Sequence, residues 1–201
     1  MKIICFYNNY PHITSTFPTI KHPLFYLKPD TSILTNNRPF FIPEFTEDIH
    51  AQAELVIRID KLGKYIDESF APTYFHEIAV GVNLFDKKLQ ETCIRKGLPW
   101  DSSTVFENSA ALSLFYPLTS FEDITKLEIK LNKNNTEIAH GNTNAMCFSI
   151  NTLIAYISTY FTLKTGDILF TGCPFPSIPL AIHDVLEVEI ANERRMKFRI
   201  K

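Results

Sequence analysis

The stretch 50–100 constrains this chain more than any other. Residues 53–59 read Ala-Glu-Leu-Val-Ile-Arg-Ile, a β-branched run that predicts a strand. Strand side chains alternate, so His50, Gln52 and Glu54 share one face and Ala53, Leu55, Ile57 and Ile59 the other. Two readings fit that pattern: an edge strand with one solvated face, or a rigid strand that lines a polar pocket. Residues 61–69 read as a polar turn opening a short helix at 68–75. Residues 77–85 alternate toward a second strand. Across 86–96, Leu89, Cys93 and Ile94 form a helical stripe, and Gly97 stands where a C-cap belongs.

The bulk of the chain sets the frame for this stretch. Its 201 residues predict a single domain, 1–201, with ample length for a core. An apolar share of 45% and a charged share of 21% are those of an ordinary globule. A net charge of -2 gives no reason to expect nucleic acid or an anionic membrane as partner. No apolar run approaches the ~20 residues that span a bilayer. Residues 1–7 lack signal-peptide organisation, so the expected compartment is the cytoplasm. Cys5, Cys93, Cys147 and Cys173 lie too far apart in sequence for a zinc knuckle or redox pair, and free buried thiols are expected. Seventeen Phe spread along the chain suit a β-rich core.

Residues 1–7 read as a first strand, and Asn8-Asn9-Tyr10-Pro11-His12 as a turn. Pro23-Leu24-Phe25-Tyr26-Leu27-Lys28-Pro29 reads as an apolar strand ended by Pro29, with Lys28 in solvent. Residues 39–43 form another apolar piece, bounded by Pro39 and Pro43. Residues 127–132 alternate cleanly, 133–136 make a hairpin turn, and 137–140 return. Residues 151–162 read as an amphipathic helix, N-capped by Ser149 or Asn151.

The order of these parts resembles the fumarylacetoacetate hydrolase family, which includes acylpyruvate hydrolases, oxaloacetate decarboxylases and hydroxyheptadienedioate isomerases. Five pieces carry the resemblance: His50 with Glu54-Leu55, then Gln90, Lys96-Gly97-Leu98-Pro99-Trp100, Gly166-Asp167-Ile168-Leu169-Phe170-Thr171-Gly172-Cys173-Pro174, and the strand-like segment 183–190. The resemblance covers nearly the whole chain. It implies an α+β fold, a mixed β-roll with few short helices, assembled as a homodimer. It also implies a family pocket for small 2-oxo or enol carboxylic acids, so a small carboxylate is the expected ligand.

The same resemblance assigns roles by position. The divalent-metal positions fall on Gln52, Glu54 and Asn83, two of which have lost their carboxylates. His12 stands where a lid histidine acts as base, and the Glu that follows it in the family is absent. Lys28 falls beside the substrate carboxylate, Gln90 on a substrate contact, and Lys88 on a position the family fills with Asp. Thr104 replaces a lysine that polarises the substrate. Thr171, Gly172 and Cys173 occupy the carboxylate-binding turn, with Cys173 in place of Thr.

The departures are chemical. Magnesium and manganese prefer hard anionic oxygens. Three carboxylates would bring -3, whereas Gln52, Glu54 and Asn83 bring -1. Unit charges ~4 Å apart interact by roughly 4 kcal/mol near a protein surface. The expectation is a catalytically impaired or inactive member, with no cofactor, or with weakly bound magnesium or manganese if the site still functions. Two alternatives stand beside it. One is an active hydrolase or isomerase with a rearranged site, in which Asp86 or His50 supplies a ligand. The other is a metal-free enzyme using Cys173.

Overall fold

The computed structural model describes residues 1–11, 21–35 and 37–201. In chain order its strands are β1 (Ile3–Tyr7), β2 (Leu24–Lys28), β3 (Ile33–Leu34), β4 (Ile49–Arg58), β5 (Glu77–Asp86), β6 (Ala110–Leu112) and β7 (Tyr116–Pro117). They continue as β8 (Glu128–Lys133), β9 (Thr136–Asn142), β10 (Ile168–Phe170), β11 (Ile178–Pro179), β12 (Val185–Ile190) and β13 (Glu193–Arg199). The helices are α1 (Lys87–Lys96), α2 (Asp101–Thr104) and α3 (Ile150–Tyr160). This is the α+β, mixed-sheet architecture expected.

The larger sheet runs β2-β1-β10-β4-β5-β6-β3, with β11 added to β4 and β7 to β5. The smaller runs β13-β12-β8-β9. Pairing is antiparallel apart from β1 with β10 and β3 with β6.

Strand β4 is central, not an edge. It pairs with β5 through nine residue pairs, with β10 on its other side, and with β11. Both its edges are therefore paired, and its two faces are covered by two separate cores. Ala53, Leu55 and Ile57 join Ile78, Val80, Val82 and Leu84 of β5 in the main core, which also holds α3 and the inner face of the smaller sheet. Val56, Ala79, Ile3, Cys5, Tyr26 and Phe170 form a second, smaller core on the opposite face. Gln52 and Glu54 lie on that second face, with Asn83 paired to Gln52 across the strands. Gly81 pairs with Glu54, and a side chain there would strike the Phe170 ring, at 2.3 Å from an added Cβ. The ring thus seals the apolar end of the face, and the polar residues are left at the other end.

Local rules explain the elements around the site. The Asp86 carboxylate caps α1 by accepting from Leu89 N, and Gly97 ends it at φ 64°. Ser149 caps α3 by accepting from Thr152 N. Asn134 and Asn135, both at positive φ, make the hairpin turn between β8 and β9. The helix expected at 68–75 is only a short 3₁₀ turn, Ala71–Tyr74, with a proline in its first turn. No helix among the described residues is long and apolar enough to cross a membrane.

Candidate functional site

One small cavity, about 20 Å³, opens on the polar end of the second face. That is the scale of one water molecule or a small polar head group. Six residues expected at the site line it: Gln52, Asn83, Gln90, Thr104, Gly172 and Cys173. They come from β4, β5, α1, α2 and the turn after β10. Sequence-distant elements are therefore brought together as the resemblance implied.

The cavity floor is a hydrogen-bonded cluster. Asn83 Nδ2 donates to the Tyr26 hydroxyl at 2.6 Å and to Glu54 Oε1 at 3.1 Å. Gly172 N donates to Glu54 Oε2 at 2.7 Å. Glu54 lies behind the lining, 1% exposed. Burial raises its pKa to about 7, against the hydrogen bonds from Asn83 and Gly172 and the Lys28 charge, which hold it down. Burial likewise lifts the Tyr26 phenol well above its ordinary value. Gly172 sits at φ 93°, and an added Cβ would lie 3.2 Å from Asn9 Cβ, so only glycine brings its N–H to Glu54 without strain.

Several assignments need correction. Lys28 is neither in solvent nor on the cavity wall. It is 2% exposed, and Nζ donates to Ser109 O and Oγ, both at 2.9 Å, and to Leu84 O at 3.3 Å. Its position on β2 places it on the second face beneath Phe106, and burial lowers its pKa to about 8. Thr171 Oγ1 donates to Leu55 O at 3.0 Å, so the hydroxyl fastens β10 to β4 and does not line the cavity. Lys88 is exposed and pairs with Glu47, outside the site. Asp86 spends its carboxylate on Leu89 N and Glu47 N. His50 contacts Ser177 Oγ and Asp48, again away from the cavity. Cys173 lines the cavity but is buried, which drives its thiol pKa well above the ordinary value and disfavours the thiolate. Cys147, expected to be buried, is exposed. His12 lies outside the described residues.

The turn after β1 supplies residues read only as turn formers. Asn8 and Asn9 both line the cavity. Asn9 is a clamp: Nδ2 donates to Thr171 O and Phe148 O, and Oδ1 accepts from Phe148 N. Asn8 adopts the left-handed region at φ 55°. Asn tolerates that region, which was the available signal. Two buried polar atoms on the lining have no hydrogen-bond partner among the described residues: Asn8 Nδ2 and Asn83 Oδ1.

The donor set does not fit a divalent cation. Its single carboxylate has both oxygens committed to protein donors, and the Asn83 amide turns its NH₂ toward that carboxylate. No three His, Cys, Asp or Glu side chains cluster as metal ligands among the described residues.

Comparison with known proteins places this geometry. The fumarylacetoacetate (FAA) hydrolase C-terminal family matches residues 2–201. The chain is 31% identical over 202 residues to the mitochondrial oxaloacetate tautomerase FAHD1 of Mus musculus, covering 100% of this chain and 91% of the relative. It is 30% identical over 190 residues to the oxaloacetate tautomerase YcgM of Escherichia coli K12, covering 93% and 87%. A fumarylacetoacetate hydrolase family protein from Yersinia pestis CO92 superposes with a TM-score of 0.91 at 28% identity, covering 100% and 92%. The fumarylpyruvate hydrolase of Pseudomonas aeruginosa, solved with Mn²⁺ and pyruvate, shares the fold at a TM-score of 0.92 and 23% identity, over 100% and 89%. The chain belongs to the fumarylacetoacetate hydrolase family.

Proposed function

We propose that this chain keeps the family pocket as a metal-independent binding site for a small polar ligand, without metal-dependent turnover of 2-oxo or enol carboxylic acids. The observation that carries this reading is the commitment of both Glu54 oxygens to Gly172 N and Asn83 Nδ2. Relatives supply the reference: two are oxaloacetate tautomerases, and a fold neighbour was solved with Mn²⁺ and pyruvate. A metal at these positions would have to displace a backbone N–H and an amide from a half-protonated carboxylate. Its other two donors would be neutral, and neutral oxygens suit Mg²⁺ and Mn²⁺ poorly. Among the described residues, a small carboxylate entering this pocket would meet neutral donors only, from the amides of Asn8, Gln52 and Gln90. Family resemblance adds the proposal of a homodimer, which light scattering on the purified protein checks.

The test is calorimetric titration of chelator-treated protein with MgCl₂ or MnCl₂, with and without oxalate, beside turnover assays on oxaloacetate and an acylpyruvate. The expected result is no saturable metal binding up to millimolar concentration and no metal-stimulated turnover. Micromolar metal binding that disappears in Glu54→Gln overturns the proposal.

A second reading rests on the poise of Glu54. Tautomerisation moves only protons, and a carboxyl with a pKa of about 7 stands one hydrogen bond behind the lining, so it can exchange a proton with a ligand once the Asn83 amide turns aside. Enol–keto interconversion of oxaloacetate in excess chelator, lost in Glu54→Gln, supports this version. Equal rates with and without the protein dispose of it.

A further inference from the structure

We propose that the ligand of this cavity presents a neutral carboxamide, or an equivalent adjacent pair of one hydrogen-bond donor and one acceptor, and not a carboxylate. The inference rests on the metal-independent reading above and names the chemical class the pocket takes.

Charge is the first argument. Not one of the described residues that line the cavity is Lys, Arg, Asp or Glu. The ten residues outside the description contain one His and no Lys or Arg. Lys28, whose charge acts on Glu54, has Nζ engaged by two carbonyl oxygens and a hydroxyl. An anion entering here would shed its water without gaining a counter-charge, and Glu54 stands directly behind Asn83 and Gly172. Burying an unpaired charge is the costliest event a pocket can impose, whereas a neutral amide needs only its hydrogen bonds replaced.

Hydrogen-bond complementarity is the second argument. Asn83 is 4% exposed, and its Oδ1 is an orphaned acceptor because Nδ2 already serves Glu54 and Tyr26. Across the cavity lining, Asn8 Nδ2 is an orphaned donor. Buried polar atoms are normally hydrogen-bonded, so whatever occupies this cavity, solvent in the free protein or a ligand that displaces it, must donate to one of these atoms and accept from the other. One asks for an N–H or O–H, the other for a C=O. A primary carboxamide offers both on adjacent atoms, and the amides of Gln52 and Gln90 line the same space. Asn8 sits in the left-handed region at φ 55°, which Asn tolerates and which glycine also adopts freely.

The isosteric series oxamide, oxamate and oxalate carries zero, one and two negative charges on one planar frame, and so separates charge from shape. Each is titrated calorimetrically into the full-length chain in excess chelator at pH 7.5, then with MnCl₂ in place of chelator. The expected order in chelator is oxamide tightest and oxalate weakest, with at least a tenfold gap between the ends. Asn8→Gly, which suits the left-handed backbone and deletes the donor, is expected to weaken oxamide at least tenfold with an unchanged thermal midpoint. Asn8→Asp should do the same with the backbone residue class kept. Oxalate binding tighter than oxamide in chelator overturns the carboxamide inference and leaves the metal-free reading standing. Oxalate binding that appears only with Mn²⁺ overturns the metal-free reading itself. Binding of none of the three in chelator, or oxamide affinity unaffected by both Asn8 variants, overturns the inference.

Discussion

Glu54→Gln isolates the energetic cost of the carboxyl buried behind this pocket. Glu54 is 1% exposed, and burial raises its pKa from 4.5 to about 7. The folded chain therefore holds this proton to a higher pH than the unfolded chain does. Between those values the folded state binds more protons, so stability falls as pH rises. For this one group the loss is about 1 kcal/mol at pH 5 and about 3 kcal/mol at pH 7, from ~1.4 kcal/mol per unit. An amide at position 54 carries no such penalty. It keeps an acceptor for Gly172 N, while its NH₂ faces Asn83 Nδ2 and requires the Asn83 amide to turn. That rearrangement costs the same at every pH, so it offsets the curve without tilting it.

The quantity to measure is the stability difference between Glu54→Gln and the parent chain, by urea unfolding at fixed protein concentration. Trp100, the single tryptophan, reports directly because it packs edge-on against Tyr26 at 5.1 Å, one hydrogen bond from the cluster. Relative to the parent, the variant should gain about 2 kcal/mol between pH 5 and pH 7. For a chain of this length that corresponds to roughly 4–8 °C in thermal midpoint. Lys28 does not complicate the window, since its pKa of about 8 keeps it charged through most of the range. A difference that stays flat between pH 5 and pH 7 would refute the buried, uncompensated carboxyl. A difference that moves the other way would mean that the anion is stabilised, as a cation site requires.

Placing carboxylates at two positions tests the same site in the other direction. Gln52→Glu with Asn83→Asp removes the amide donor from Glu54 and takes the charge from -1 to -3, so Mn²⁺ affinity by calorimetry should rise at least about 100-fold. Gly172→Ala puts a Cβ on a residue at φ 93° and within 3.2 Å of Asn9 Cβ, and should cost about 1–3 kcal/mol in urea unfolding. Tolerance of that change within about 0.5 kcal/mol would mean the turn is not held as described. A thiol reagent should modify one cysteine rapidly in the folded protein, the exposed Cys147, and the buried Cys5, Cys93 and Cys173 only on unfolding. Fast labelling of Cys173 mapped by mass spectrometry would revive it as a nucleophile.

Much of the frame was legible because local chemistry set it. Asp86 and Gly97 bracket α1, Ser149 opens α3, and Asn134-Asn135 turns the chain between β8 and β9. Each of these acts within a few residues of itself. Strand β4 was legible as a strand but not in its place. A strand buried on both faces shows no clean alternation, and its polar residues suggested an edge. The long-range partners were not legible at all. Lys28 reads as a surface residue because lysine is rarely buried, and only the fold brings Leu84 and Ser109 to its Nζ. Thr171 reads as a ligand contact until its hydroxyl is seen on Leu55 O. Asn8 and Asn9 read as turn formers because turns are where two successive asparagines usually serve. Their second task needs partners 139 and 162 residues away in the case of Asn9.

The fold and the chemistry of this pocket separate for a physical reason. Gln52 and Asn83 sit opposite each other in a ladder whose hydrogen bonds are made by backbone, so either residue type holds the register. Exchanging buried carboxylates for amides lowers the cost of burying the site when no cation is there to offset it. The main core, on the other face of β4 and β5, is untouched by any of these positions. Glu54 is the exception, because its two oxygens now tie Gly172 of the β10 turn to Asn83 of β5. A buried carboxyl is tolerated without a counter-ion when it is partly protonated and doubly hydrogen-bonded. It then becomes a structural staple between two strands, and the cavity above it is left with neutral walls.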